Sequence, residues 1–393
     1  TFGQPFAQFL HLESSSGLLL LGAAAVALIW ANSPWADSYT QLWETHLDIT
    51  LGDQVLFDED LQHFVNDALM AVFFLVVGCE IKRELVTGEL RDPRRAALPA
   101  IAAVGGMVVP ALIFLVFNLG GPAARGWGIP MATDIAFAVG LVAILGTRVQ
   151  PQLKLFLLTL AIVDDIGAIV VIALFYSDAI SLAWLAAAAA VLVLMAVTRR
   201  VNIVYTPFFV LLGVAVWYFT FRSGVHATIA GVALGLLAPA RPLQDEVQAE
   251  AVADRLEGKA NITVEDVQVT GFLIRESVPV GSRIEQALHP WSSYVIVPIF
   301  ALANAGIPID AEAFEGSTSV ILGIVLGLVV GKTLGISLFA WAGDRLGLGS
   351  LPVGTRTRDL FGISAAAGIG FTVSLFVADL AFRGAELQDQ AKL

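Results

Sequence analysis

The sequence predicts an all-α, polytopic membrane protein with about eleven spans and one small outer β-hairpin. Of its 393 residues, 57% are hydrophobic and only 14% are charged, and the mean hydropathy is +0.79, a composition that soluble domains do not normally have. The apolar stretch from Leu155 to Tyr176 exceeds the roughly 20 helical residues that cross a hydrocarbon core. In addition, the cations concentrate in alternate connections between such stretches, as in multi-span membrane proteins.

Hydropathy and turn signals place the spans near residues 15–31, 61–80, 96–118, 124–146, 153–176, 181–198, 205–221, 225–238, 289–306, 319–341 and 359–382. Nearly all of the 22 Lys and Arg residues fall on one side, which the positive-inside rule assigns to the cytoplasm together with the amino terminus. Residues 1–393 then form a single transmembrane domain. Because an odd number of spans leaves the carboxyl end outside, we expect a twelfth span after Leu393.

Two connections differ from short loops. Residues 47–57, LDITLGDQVLF, alternate apolar and polar residues around Gly52-Asp53, which predicts an outer β-hairpin, with an ordinary acidic loop as the alternative. A lone hairpin is weakly stable, so we expect it to pair with a second copy of the chain. Residues 239–289 are rich in Asp and Glu and are too few to bury a core, which predicts a cytoplasmic connecting segment.

Two adjacent aspartates, Asp164 and Asp165, lie in LFLLTLAIVDDIGAIVVIALFY, a run with no other charge. A carboxylate at bilayer depth costs roughly 2.5–3.5 kcal/mol even on the lenient insertion scale, so the pair requires a partner or a function. Lys332, in the glycine-rich span ILGIVLGLVVGKTLGISLFAWA, is the expected partner of Asp164. A purely structural ion pair is the alternative, but it leaves the second aspartate unexplained.

Two spans contain helix-breaking residues at membrane depth. Gly128 and Pro130 precede Thr133 and Asp134 in GWGIPMATDIAFAVG. The second break is expected in GISAAAGIGFTVS, which contains Gly362, Gly368, Gly370 and Thr372. Broken helices leave backbone carbonyls and amides without partners in mid-membrane, where they can bind ions.

Other polar residues lie within the spans or at their ends: Asp67, Glu80, Arg83, Glu84 and His226. Taken alone, Glu80, Arg83 and Glu84 are most simply an interfacial salt network, and His226 is most simply a hydrogen-bonded packing residue. The single cysteine, Cys79, excludes an intrachain disulfide framework and a cysteine-based metal cluster.

The paired aspartates suit a hard monovalent cation, which needs several oxygen ligands. The same carboxylates bind protons, so sodium and protons would compete for one site. Two functions from other classes also use such features. An intramembrane aspartyl protease needs two aspartates from different helices and a Gly-x-Gly-Asp sequence, which this chain lacks. An organic-anion symporter would need more cationic contacts than Lys332 alone supplies.

Along nearly its whole length the chain resembles the bacterial NhaA-type sodium/proton antiporters, through NDALMAVFFLVVGCEIKREL, PMATDIAFAVG, LAIVDDIGAIVVIALFY, SGVHATIAG, LHPW with ANAG, VGKTLGIS and GIGFTVS. The resemblance implies two inverted repeats with crossed discontinuous helices and alternating access by a moving core bundle. It further implies a transporter without enzymatic activity or cofactor, in the bacterial inner membrane. Such a protein exports sodium or lithium in exchange for protons, electrogenically and under pH control.

Carried onto this chain, the resemblance assigns Asp164 and Asp165 to the ion site, with Thr133 and Asp134 close by. Asp134 would compensate the positive helix ends, and Lys332 the negative ends while it pairs with Asp164. The expected pH-response residues are Glu80, Arg83, Glu84, Glu285, His289 and His226. The expected partners are sodium or lithium ions, protons, the lipid bilayer and a second copy bound through the hairpin, without nucleic acid.

The chain departs from the family pattern in two places. The segment before the ninth span is longer than usual, and Ser282 and Gln286 occupy positions where members often have basic residues. Both departures concern the pH profile and leave the ion site unaffected.

Overall fold

A computed structural model describes residues 3–52, 54–146, 149–177, 179–200, 206–242, 263–309, 318–352, 354–382 and 384–393. The described chain is mostly helical and contains one two-stranded sheet, in agreement with the predicted class. Residues 243–262 of the predicted connecting segment 239–289 lie outside the described residues.

The first half contains helices α1 to α6 and both strands. Their bounds are α1 Gly3–Ala31, α2 Ala36–Trp43, β1 His46–Leu51, β2 Gln54–Asp60, α3 Leu61–Val86, α4 Pro93–Asn118, α5 Ile135–Leu145 and α6 Pro151–Phe175. A 3₁₀ segment, Pro122–Met131, precedes α5. The side chains of Asp60 and Asp92 cap the first turns of α3 and α4, and prolines begin α4 and α6, where no backbone N–H is needed.

The second half contains helices α7 to α16. Their bounds are α7 Leu182–Arg200, α8 Thr206–Arg222, α9 Thr228–Leu237, α10 Val264–Glu276, α11 Val280–Trp291, α12 Val297–Asn304, α13 Thr318–Arg345, α14 Thr357–Ala366, α15 Phe371–Ala381 and α16 Ala385–Lys392. The described chain also contains three π turns. Val65–Leu69 lies within α3, Ser292–Ile296 lies between α11 and α12, and Gly327–Gly331 lies within α13. The sequence analysis did not predict these turns.

Five described helices are long and apolar enough to cross a membrane: α3, α4, α6, α7 and α13. Two bent pairs also qualify by length and composition, namely Ser15–Ala31 with α2, bent by 116°, and α14 with α15, bent by 52°. The shorter apolar helices Pro207–Arg222 and Thr228–Leu237 coincide with two further predicted spans. The count of eleven spans stays a prediction.

The two predicted helix breaks are present, and they contact each other. The first interrupts the chain at residues 132–134, between the 3₁₀ segment and α5, and the second at residues 367–370, between α14 and α15. The backbone N–H of Asp134 donates to the Ile369 carbonyl over 2.7 Å, and the Ser374 hydroxyl donates to the Ile129 carbonyl over 2.9 Å. We call this contact the crossing.

The predicted hairpin is the two-stranded sheet. β1 and β2 pair antiparallel, with Asp48 opposite Asp58 and a register shift between Ile49 and Thr50. The Phe57 ring lies against the rings of two α8 aromatics, Trp217 at 6.3 Å and Phe221 at 5.5 Å between centroids. These contacts hold one face of the hairpin on the helical body.

Glycines bring α3 and α9 into backbone contact. At Gly231 of α9 an added Cβ would overlap the backbone carbonyl oxygen of Ala71 in α3. The same pair of helices approaches again where Gly78 faces the backbone of Gly235. Because the obstacle at Gly231 is backbone, a larger side chain must push the helices apart.

We therefore expect Gly231→Ala to destabilise the protein by about 1–3 kcal/mol, the usual cost of overpacking. The measurement is the unfolding temperature of the purified full-length protein in detergent, followed by tryptophan fluorescence. Gly22→Ala is the matched control, because nothing lies within 4 Å of a Cβ at Gly22 in α1. Equal unfolding temperatures for the two variants would contradict this account of the α3–α9 contact.

Candidate functional site

Asp164, near the middle of α6, forms a fully buried ion pair with Lys332. Both side chains have essentially no exposed surface, and the Lys332 ammonium contacts the Oδ2 atom of Asp164. Lys332 directly follows the π turn Gly327–Gly331. Within the described chain, the other carboxylate oxygen, Asp164 Oδ1, is buried without a hydrogen-bond partner. A buried charge pair with an unsatisfied oxygen is costly, and such groups are typical of functional sites.

The Thr133 hydroxyl joins this ion pair to the crossing. Its oxygen lies 2.7 Å from Asp164 Oδ2, 2.6 Å from Lys332 Nζ and 2.9 Å from the Ala367 carbonyl oxygen. A hydroxyl has one proton, so Thr133 accepts from the ammonium and donates to either the carboxylate or the carbonyl. Both helix breaks, α6 and α13 therefore meet at one side chain.

Asp165 faces a different environment from its neighbour. Successive residues of a helix point about 100° apart, so Asp165 is directed away from Lys332 when Asp164 contacts it. Asp165 is 8% exposed and lines a cavity of about 90 Å³, which can hold several water molecules. Its Oδ1 atom, like that of Asp164, is buried without a hydrogen-bond partner among the described residues.

Asp134 caps two helices at the crossing. Its Oδ1 accepts from the backbone N–H of Phe137 in α5 over 3.2 Å. Its Oδ2 accepts from the backbone N–H and the hydroxyl of Thr372 in α15, over 3.1 and 2.5 Å. Helix amino termini carry a partial positive charge, so one carboxylate stabilises the starts of both helices.

The cavity connects this region to a group of charged residues at the end of α3. Thr133, Asp134, Asp165 and Thr372 line it at the crossing, and Glu80, Glu285 and His289 line it at the other end. Phe73, Val76 and Val77 of α3 form part of its wall. The charged group and Asp165 therefore share one cavity that can hold several water molecules.

Arg83 organises the charged group, which we call the Arg83 cluster: Glu80, Arg83, Glu84 and Glu285. The Arg83 guanidinium lies 2.5 Å from the Glu285 carboxylate and 3.9 Å from both Glu80 and Glu84. Burial raises the pKa of Glu285, while Arg83 and His289 act in the opposite direction. Glu285 therefore binds a proton closer to neutral pH than a solvated glutamate does.

Residues 7–393 match the model of the family described as Na+/H+ antiporter 1. The chain belongs to this family. It is 47% identical over 402 residues to the Na(+)/H(+) antiporter NhaA of Rhodopirellula baltica, with 99% of this chain and 89% of that protein covered. It is also 46% identical over 390 residues to Na(+)/H(+) antiporter NhaA 3 of Frankia alni, covering 98% of this chain and 84% of the relative.

The predicted family and the predicted sodium/proton antiport are therefore confirmed. The protein is a membrane transporter, and neither the aspartyl protease nor the organic-anion symporter considered from the sequence is supported. The antiporter family fits the site found here, in which carboxylates, a hydroxyl and backbone carbonyls converge beside a cavity.

Two predicted residues lie apart from the antiporter's central site. The Nε2 atom of His226 lies 2.6 Å from the carbonyl oxygen of Tyr176, at the end of α6. Asp67 lies in the π turn Val65–Leu69, and its backbone carbonyl accepts from the indole N–H of Trp217 over 2.9 Å. Neither residue lines the cavity.

The sequence analysis missed Asp379 in α15. This carboxylate, which is only 11% exposed, contacts Lys392 of α16 and is also within hydrogen-bond distance of Asn66, at 3.2 Å. The signal was available, because Asp379 interrupts the apolar run FTVSLFVADLAF as Asp164 and Asp165 interrupt theirs. Three serines that also line the cavity, Ser16, Ser292 and Ser293, were not predicted from the sequence.

Proposed function

We propose that the antiporter exports sodium, and also lithium, by letting the cation compete with protons at Asp164 and Asp165. One observation carries the proposal: Asp164 is neutralised by a buried ammonium, while its neighbour lines a cavity with an unpaired carboxylate oxygen. In this site the Asp164 carboxylate is paired with Lys332, and the Asp165 carboxylate is available to a cation. The chemistry of the donors, all of them oxygens, suits a hard monovalent ion.

Sodium binding requires Lys332 to give way. The ion could be surrounded by oxygen ligands of three kinds. These are the free carboxylate oxygens of Asp164 and Asp165, the Thr133 hydroxyl and the backbone carbonyls at residues 367–370. An ammonium and a sodium ion close together in a dry site repel each other strongly. Lys332 must therefore release a proton or move away from Asp164 when sodium enters.

Electrogenic exchange follows if more than one proton leaves for each sodium ion. A proton held at Asp165 supplies one, and the second comes from the Lys332–Asp164 pair or from a group coupled to it. The inward proton gradient then drives sodium out, because each cycle moves net positive charge inward.

Alternating access would expose this site to each side of the membrane in turn. The breaks at the crossing place Asp134 at two positive helix ends, which it compensates, and we assign Lys332 to the negative ends of the 3₁₀ segment and α14. In this scheme the two halves are inverted repeats and a core bundle carries the site. The alternating distribution of Lys and Arg supports a cytoplasmic amino terminus and a place in the bacterial inner membrane.

The Arg83 cluster is the proposed pH sensor, together with His289 and His226. Glu80 and Glu285 of the cluster and His289 line the same cavity as Asp165, so their charges would influence cations that enter. We further propose that two copies pair through the hairpin. The hairpin packs on α8 through Phe57, but in the described chain each of its two strands pairs on one edge only, and pairing of two hairpins would supply partners for the other edges.

Replacing the central carboxylate tests the site. We expect Asp164→Asn to reduce sodium-evoked proton release in everted vesicles by roughly a hundredfold, because it leaves Lys332 buried without an anionic partner. Asp67→Asn is the matched control, since Asp67 is a carboxylate within α3 that does not line the cavity. The control should retain exchange. Undiminished exchange in Asp164→Asn would remove the assignment.

Replacing Glu285 tests the pH sensor. The wild type and Glu285→Gln should have the same exchange rate at acid pH, where residue 285 is uncharged in both. As pH rises through the raised pKa of Glu285, only the wild type gains the charge that pairs with Arg83. The variant should then fall behind by about fivefold, which corresponds to an ion pair worth about 1 kcal/mol.

The measurement is exchange rate against pH at saturating sodium. Glu276→Gln is the control, because Glu276 pairs with Arg283 at 3.1 Å in the neighbouring segment and does not line the cavity. A pH profile of Glu285→Gln that runs parallel to the wild type over the whole range would exclude Glu285 as a sensor.

A further inference from the structure

A second group of polar side chains, most of them partly buried, lies beyond the crossing, at the other end of α15. This Asp379 cluster comprises Gln62, Asn66, Asn304, Asp379 and Lys392. Asp379 follows Thr372, the residue that binds Asp134, by seven positions, so both side chains lie on similar faces of α15 about 10 Å apart along its axis.

An ammonium neutralises Asp379. The Lys392 Nζ atom contacts the Asp379 Oδ1 atom, and the two side chains are only 6% and 11% exposed. The lysine belongs to α16, the short helix that follows α15. A monovalent cation is therefore already bound at this carboxylate, in the form of a tethered side chain.

Amide groups complete the Asp379 cluster. Asn66 donates to Asp379 Oδ2 over 3.2 Å, and Asn304 donates to the Asn66 oxygen over 2.8 Å. The Asn304 oxygen accepts from Gln62 over 3.0 Å. An amide offers an oxygen or an N–H₂ group to the same neighbour after a half turn. These groups can therefore exchange their mutual hydrogen bonds for contacts to a cation.

The Asp379 cluster joins the elements that also form the cavity wall. Asn66 is in α3, Asn304 ends α12 and Asp379 is in α15, and each of these helices contributes residues to the cavity. On α3, Asn66 lies about 20 Å from Glu80, at the opposite end of the helix. The cavity and the Asp379 cluster therefore occupy opposite ends of one group of helices, on either side of the crossing.

We propose that Asp379, with the amide oxygens of Asn66 and Asn304, forms a second monovalent-cation site on the outer half of the transport route. Lys392 occupies this site while the outer side is closed, and sodium replaces its ammonium when that side opens. The outward direction rests on the orientation in the proposed function. The cluster then serves as a closing contact and as the last binding step before release.

Two substitutions with opposite expected effects test this site in the full-length protein reconstituted in liposomes of known orientation. Asp379→Asn removes the anionic ligand, so the half-saturating concentration of outer sodium should rise about tenfold. Lys392→Met removes the competing ammonium but keeps the apolar stem, so the same constant should fall about threefold or more. The half-saturating concentration of inner sodium should change by less than about twofold in both.

Glu386→Gln is the matched control, because Glu386 is an exposed carboxylate in the first turn of α16 and is not part of the Asp379 cluster. It should leave both constants unchanged. The proposal is overturned if Asp379→Asn and Lys392→Met shift the outer constant in the same direction, or if inner and outer constants shift together. Either outcome would indicate that the Asp379–Lys392 pair only stabilises the fold and does not bind sodium. Inner-side exchange in these variants also reports on antiport itself, so failure of this site is distinguishable from failure of the central one.

Asp379→Glu provides a further test if Asp379→Asn gives no folded protein. A glutamate keeps the charge and should keep the outer constant within about threefold of the wild type. If folded Asp379→Glu instead raises the half-saturating concentration of outer sodium about tenfold, the value expected for Asp379→Asn, then side-chain shape and not charge determines the effect. That result would overturn the cation site.

Discussion

The buried ion pair between Asp164 and Lys332 is the interaction on which the remaining structure depends. Neither side chain is exposed, so their charges can persist only while they remain in contact and the surrounding helices hold them there. Thr133 fixes the pair to the crossing, and the crossing fixes the first turns of α5 and α15 through Asp134. Any event that separates the pair must therefore disturb the contact between the two broken helices. This links occupancy of the site to rearrangement of the fold.

The two adjacent aspartates have different environments because of the helical rotation between them. Asp164 faces the lysine and Asp165 faces the cavity. In the proposed function a cation that arrives through the cavity meets Asp165 first and reaches Asp164 only after Lys332 has moved or lost its proton. The Asp379–Lys392 pair repeats this arrangement of a buried carboxylate with an ammonium beyond the crossing. Each lysine supplies a positive charge that stabilises a carboxylate in an apolar environment, and we propose that each takes the place of a transported cation.

The sequence indicated which polar residues lie in the apolar helices better than it indicated how they are arranged, and their role in ion binding stays a prediction. Aspartates in an apolar run and a lysine among glycines are energetic anomalies that can be seen without a structure, as are the breaks near Pro130 and Gly368. Which aspartate faces Lys332 depends on how α6 is rotated against α13, and that depends on packing. The π turn before Lys332 adds a residue to one turn and shifts the following face, and no local sequence signal marks it. The pairing of Asp379 with Lys392 was missed because the second residue lies in a polar helix of its own. The number of spans and the inverted repeats stay predictions.

Competition between sodium and protons at one site is the central claim, and the pH dependence of sodium binding tests it most directly. Sodium affinity of the purified full-length protein in detergent would be measured by titration calorimetry at a series of pH values. If sodium displaces one proton, the dissociation constant rises about tenfold for each unit of decreasing pH, and about a hundredfold if it displaces two. A dissociation constant that stays the same across the pH range in which the antiporter works would contradict the account, because cation and proton would then bind independently.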